Sequence, residues 1–116
     1  MRIGELATRT AISERMLRYY EQEGLLRPAR TQAGYRDYGD AEVQAALRIR
    51  LLSASGLKVE AIRVLLPCMV DDQASFMPCD EIRTTLCSEL KKLDEKIQNL
   101  AESRRIVAQF LASLQA

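Results

Sequence analysis

From Asp80 onward the chain has neither proline nor glycine, and Leu86, Leu90, Leu93, Ile97, Leu100, Val107, Leu111 and Leu114 recur at alternating three- and four-residue steps. Arg104 is the one polar intruder on that seam. This spacing restricts residues 80–116 to one long helix with an apolar stripe. Such a helix cannot persist alone in water, so the stripe predicts a homodimer; the competing possibility is a helix folded back on its own head. Lys91, Lys92, Glu95 and Lys96 read as its solvated side.

The opening segment carries a different pattern. Ile3, Leu6 and Ala7 recur at helical spacing, Thr10-Ala11-Ile12 supplies a turn, and Ser13 is placed to cap a second helix running to Gly24. Two helices joined so closely form a helix-turn-helix. The second presents Arg15, Arg18 and Tyr19 on one side. Pro28 starts an extended segment, Thr31-Gln32-Ala33-Gly34 makes a turn, and Tyr35-Arg36-Asp37-Tyr38 alternates as a strand does, which predicts a hairpin wing.

Asp40 is the expected N-cap of a third helix with Val43, Ala46, Leu47, Ile49, Leu51 and Leu52 on its apolar face and Gly56 at its end. A fourth helix is expected from Val59 to Leu66, stopped by Pro67. Residues 67–78, with two prolines, Asp71, Asp72, Gln73 and Ser75, read as a loop. The expected organisation is a DNA-binding head over 1–66, a connecting loop over 67–79 and a dimerisation helix over 80–116.

Net charge is only +1, but it is unevenly spread. Residues 1–66 carry eleven Lys or Arg against eight Asp or Glu, whereas residues 67–116 carry six against eight. The head is therefore the half suited to a polyanion. No apolar run approaches the roughly 18–20 residues that span a bilayer, and no secretory signal opens the chain, which points to the cytoplasm and away from a membrane partner. Three cysteines without framework spacing fit reduced thiols. There is no Ser/His/Asp set, no phosphate-binding glycine loop and no isolated carboxylate pair, so no enzymatic activity is expected.

Taken in order, Arg2-Ile3-Gly4-Glu5-Leu6-Ala7, Leu17-Arg18-Tyr19-Tyr20-Glu21, Gly24-Leu25-Leu26, Gly34-Tyr35-Arg36-Asp37-Tyr38 and Gly56-Leu57-Lys58-Val59-Glu60-Ala61-Ile62 resemble the MerR family of bacterial transcription regulators. The resemblance covers nearly the whole chain. It implies a mainly α protein: a winged helix-turn-helix head followed by a C-terminal helix that pairs as an antiparallel coiled-coil dimer. It further implies a homodimer on a pseudo-palindromic site in double-stranded promoter DNA, in the bacterial nucleoid. Such regulators bend and untwist the promoter so that RNA polymerase engages both of its elements. The chain departs from the family pattern at Ala11-Ile12, where Gly-Val is common, and the turn is then expected to keep residue 11 at negative φ. Ser53 stands where relatives often carry Arg or Lys, and Lys58 replaces the usual Ser or Thr cap of the fourth helix.

Ser13 and Arg15, at the start of the second helix, are placed for base edges, and an arginine there can meet guanine O6 and N7 together; the alternative for Arg15 is a phosphate or solvent position. Arg18, Tyr19 and Tyr20 resemble the family's backbone-gripping trio. Arg30, Tyr35, Arg36 and Tyr38 resemble its wing clamp, and Lys58 adds a phosphate charge. Tyr20 and Tyr38 have a competing assignment as core aromatics, and Arg48 and Arg50 read as surface charges. No cofactor is required by these motifs. A thiolate-bound metal ion is the candidate, because Cys79 opens the long helix at the position from which metal-sensing relatives supply a thiolate, and a helix N-terminus favours that form. Those relatives complete the site beyond the long helix. Cys68 and Cys87 are the alternatives as further ligands or redox partners. Two other functions stay open: a small thiol redox or metal-buffering protein, and an excisionase-like architectural DNA-binding protein.

Overall fold

The computed structural model describes residues 1–71 and 75–115; Asp72, Gln73, Ala74 and Ala116, which the sequence places in the loop and at the end of the long helix, lie outside the described residues. The chain divides into two compact units, Met1–Pro78 and Cys79–Ala116.

In the first unit α1 (Ile3–Thr10) and α2 (Glu14–Gln22) form the helix-turn-helix. The Ser13 hydroxyl accepts a hydrogen bond from the Met16 amide at 3.2 Å, fixing the start of α2 as its sequence demands. The turn between the helices is where expectation fails. Ala11 has φ +57°, because the chain must reverse within three residues after Thr10 while Ile12 is driven into the core. The strain is tolerated because Thr10 is fully buried and doubly anchored. Its hydroxyl donates to the Leu6 carbonyl at 2.8 Å, and its own carbonyl accepts from Arg50 Nη1 at 2.7 Å. Arg50, read as a surface charge, is thus the C-terminal cap of α1, and Arg48 reaches the Met69 carbonyl at 3.4 Å.

The wing is smaller than the alternation suggests. Only β1 (Ala29–Arg30) and β2 (Arg36–Asp37) pair, antiparallel, with Ala29 opposite Asp37 and Arg30 opposite Arg36. Gly34, at φ +87°, closes the turn, where its amide donates to the Thr31 carbonyl. Tyr38 leaves the ladder and enters the core.

Helix α3 (Asp40–Ala54) starts one residue earlier than a cap at Asp40 requires. Gly39 is the N-cap, and its amide donates to the Glu42 carboxylate at 2.8 Å, so Glu42 supplies the capping that Asp40 was expected to provide. Ala46, Ile49 and Leu52 are buried, whereas Leu51 is exposed, since it sits about 100° around the helix from its neighbours on each side. Helix α4 (Val59–Leu65) runs into a 3-10 turn, Leu66–Cys68, so Pro67 tightens the helix end and does not stop the chain at Leu66. An antiparallel bridge between Met69 and Phe76 follows, flanked by the Met77 amide donating to the Cys68 carbonyl.

Leu6, Leu17, Leu26, Ile49, Ile62 and Leu65 fill the core of this unit with Tyr20 and Tyr38. The second unit is α5 (Asp80–Ser113), 34 residues and about 51 Å long. Of its large apolar residues Ile82 alone is buried, and the whole expected seam from Leu86 to Leu114 is exposed. Ile106 and Phe110, which the seam count passed over, widen the stripe. No helix among the described residues is long and apolar enough to cross a membrane.

Candidate nucleic-acid interface

All of the expected DNA-contacting residues except Ser13 and Arg15 fall into two groups, one on each side of α2. On the wing side a cleft of about 470 Å³ is lined by Arg18 from α2, by Arg30, Tyr35, Arg36 and Tyr38 from the wing, and by Arg2, Ile3, Gly4 and Glu14. The start of α1 belongs to this cleft because Met1 is laid along the wing, its carbonyl accepting from the Tyr38 amide at 2.8 Å. The N-cap of α1, Arg2, makes no side-chain capping bond, and Ile3 and Gly4 at the start of the helix line the cleft. A helix N-terminus of this kind attracts anions. The sequence signal for this contribution is the lack of Ser, Thr, Asp or Asn ahead of Ile3.

Within the cleft the side chains are ordered by local bonds. Arg30 Nη1 donates to the Gly34 carbonyl at 2.9 Å and braces the wing turn, and Arg2 lies 4.2 Å from the Tyr35 ring centroid in a cation–π contact. Arg36 Nε donates to both Glu21 oxygens at 2.7 Å, and that hydrogen bond holds the guanidinium pKa above its ordinary value. The Met1 ammonium donates to Asp37 at 2.8 Å, which holds that carboxyl below the usual carboxylate range.

Tyr38 and Tyr20 need correction as surface contacts: they are 1% and 5% exposed, and both rings belong to the core. The physical reason is that each is the large side chain on the inward face of a thin element, where the head would otherwise have a void. Tyr38 keeps one polar feature. Its hydroxyl is buried and makes no hydrogen bond, and burial pushes its pKa up, so it remains a protonated donor with Arg18, Arg30 and Arg36 nearby.

On the other side of α2 a groove of about 270 Å³ brings Met16, Tyr19 and Tyr20 to Ser53, Lys58 and the start of α4. Lys58 is the N-cap of α4 and makes no capping bond with its side chain, as its replacement of Ser or Thr implied, which leaves the ammonium free to face outward. Ser13 and Arg15 lie outside both clefts, exposed at the N-terminal end of α2.

Among the described residues no three His, Cys, Asp or Glu side chains are grouped to hold a metal ion. Cys79 is the N-cap of α5, its sulfur accepting from the Ile82 amide at 3.4 Å, and Cys87 lies eight residues along the same helix. That is about 12 Å of rise, whereas two thiolates on one ion approach within about 4 Å, so Cys87 cannot join Cys79 as a ligand within one chain. Cys68 sits half-buried in the 3-10 turn of the other unit.

A short helix capped at Ser13, flanked by an arginine-lined wing on one side and a lysine-capped helix on the other, defines a winged helix-turn-helix DNA-binding protein. Residues 1–67 match the family described as MerR HTH family regulatory protein. The transcriptional regulator HmrR of Rhizobium leguminosarum bv. viciae is 37% identical over 106 residues, covering 90% of this chain and 79% of its own. Heavy metal-dependent transcription regulator 2 of Rhizobium meliloti (strain 1021) is 34% identical, covering 90% of this chain and 70% of its own. Among solved structures, the transcription regulator PbrR691 from Ralstonia metallidurans CH34 in complex with lead(II) has a TM-score of 0.77 at 29% identity, covering 94% of this chain and 83% of its own. The chain belongs to the MerR family of DNA-binding transcription regulators, and this decides among the three functions left open by the sequence.

Proposed function

We propose that two copies of this chain pair through the apolar stripe of α5 and set their heads on a pseudo-palindromic promoter site. Arg15 and Ser13 at the start of α2 read base edges, while phosphates are held by Arg18, Tyr19, Lys58 and the wing residues Arg30, Tyr35 and Arg36. The observation that carries this reading is the convergence of Arg2, Arg18, Arg30, Arg36 and the uncapped start of α1 on one cleft. Four guanidinium groups beside the start of a helix suit a phosphate. Glu14 also lines the cleft, so a phosphate entering it displaces that carboxylate toward the bases. By family resemblance, the bound dimer bends and untwists its site so that RNA polymerase engages both promoter elements.

Selection of a random duplex library with the purified protein tests this reading: an enriched inverted repeat supports it and no enrichment removes it. On the enriched duplex, Arg18→Ala lowers the salt dependence of binding by about one unit of slope, whereas an unchanged slope takes Arg18 off the phosphates.

A second reading concerns the effector. Cys79 is exposed at the start of α5, and relatives are named for heavy metals or solved with lead(II). A soft metal ion held through Cys79 is the effector class we propose, with its other ligands outside the described residues of one chain. Cys79→Ser then abolishes metal-dependent change in operator binding while leaving metal-free binding intact; an unaltered response removes Cys79 from sensing.

A further inference from the structure

Arg36 stands out among the cationic residues of the wing-side cleft because it is already engaged. Its Nε bonds to both oxygens of Glu21, a carboxylate that is largely shielded on the C-terminal half of α2. The two residues are 15 positions apart, one on the wing and one on the recognition helix. The wing itself is only two residues deep on each strand, too short to hold a fixed position by its own ladder. Its other anchors, Met1 to Asp37 and Tyr38 and Arg2 to Tyr35, tie it to the start of the chain and not to α2. With Nε occupied, the two terminal nitrogens of the guanidinium remain free, and they form the edge that meets a phosphate in a two-pronged fashion.

We infer that Glu21 is a positioning residue for DNA recognition: it holds Arg36 so that the wing and the recognition helix engage the duplex at one fixed separation. The inference rests on the reading of α2 and the wing as the DNA-contacting pair. Glu21 touches no DNA in this scheme. Its negative charge on a surface meant for a polyanion is a cost, offset by the orientation it gives to Arg36.

That cost makes the test a matter of sign. Removing a carboxylate from this surface strengthens binding to every duplex if Glu21 acts only through charge. If Glu21 positions Arg36, Glu21→Gln raises affinity for a scrambled duplex yet lowers affinity for the selected operator, and the ratio of the two falls by roughly tenfold. Titration of labelled operator and scrambled duplexes by fluorescence anisotropy reads both. Arg36→Lys keeps the charge but lacks the fork, and it lowers the same ratio without changing the salt slope. In the Arg36→Ala background, Glu21→Gln has no further effect on the ratio. Any of three results overturns the inference: an unchanged ratio in Glu21→Gln, wild-type behaviour of Arg36→Lys, or an undiminished effect of Glu21→Gln without Arg36. Thermal melting of each variant separates these outcomes from unfolding. A wild-type protein that shows no preference for any duplex defeats the DNA-contact reading instead, and the two failures are thereby distinct.

Discussion

The head and the long helix solve the problem of apolar surface in opposite ways. In Met1–Pro78 two short helices, a four-residue ladder and two further helices bury thirteen of the described apolar side chains, among them Leu6, Leu17 and Leu65. In α5 the apolar residues are as regularly placed, yet Leu90, Ile97, Leu100, Phe110 and Leu114 are each at least 60% exposed. Aliphatic side chains in such a row do not stay in water. The difference teaches that one unit of this sequence was shaped to fold around a core and the other to be covered.

The largest effect should come from the second half. Replacing Leu93 and Ile97 together by Asp removes four apolar side chains from a two-fold seam, about 6–12 kcal/mol of burial, so the variant sediments as a monomer and loses operator affinity. Intact dimers in that experiment refute the seam.

Smaller effects separate stability from binding within the head. Tyr38→Phe removes a buried hydroxyl that has no partner, so it raises the unfolding free energy by about 1 kcal/mol and leaves operator affinity unchanged. Loss of stability in Tyr38→Phe would mean that the hydroxyl is bonded after all. Lys58→Ser gives α4 a capping side chain and stabilises by about 1 kcal/mol, at the expense of one phosphate charge visible as a shallower salt slope. The smallest change is Ala11→Gly. It relieves the left-handed backbone at φ +57° and raises stability by about 0.5–1 kcal/mol in denaturant titration, with no change in DNA binding. A destabilised Ala11→Gly would show that the turn is not strained.

Local signals in this chain were legible where one residue decides one bond. Ser13 caps α2, Gly24 and Gly56 take positive φ at helix ends, and Cys79 opens α5, each as its neighbours in sequence require. Signals that depend on which side of an element faces inward were less so. Tyr20 and Tyr38 are amphipathic, able to serve core or surface, and only packing assigned both to the core. Ala11 carries no mark of a left-handed residue because the strain is imposed by Thr10 and Arg50, the latter 40 positions away from the carbonyl it caps.

The sequence by itself determined the order of elements, the regulator family and the need of α5 for a cover, because periodicity, caps and motif spacing are properties of neighbours along the chain. Only the tertiary structure decided that Arg36 is held by Glu21, that Arg50 caps α1, and that the uncapped start of α1 joins the wing at one cleft. Those bonds join residues 15 to 40 positions apart. Nothing in local preference selects them, since a carboxylate or carbonyl finds its cation only after burial of the core has fixed where each helix lies.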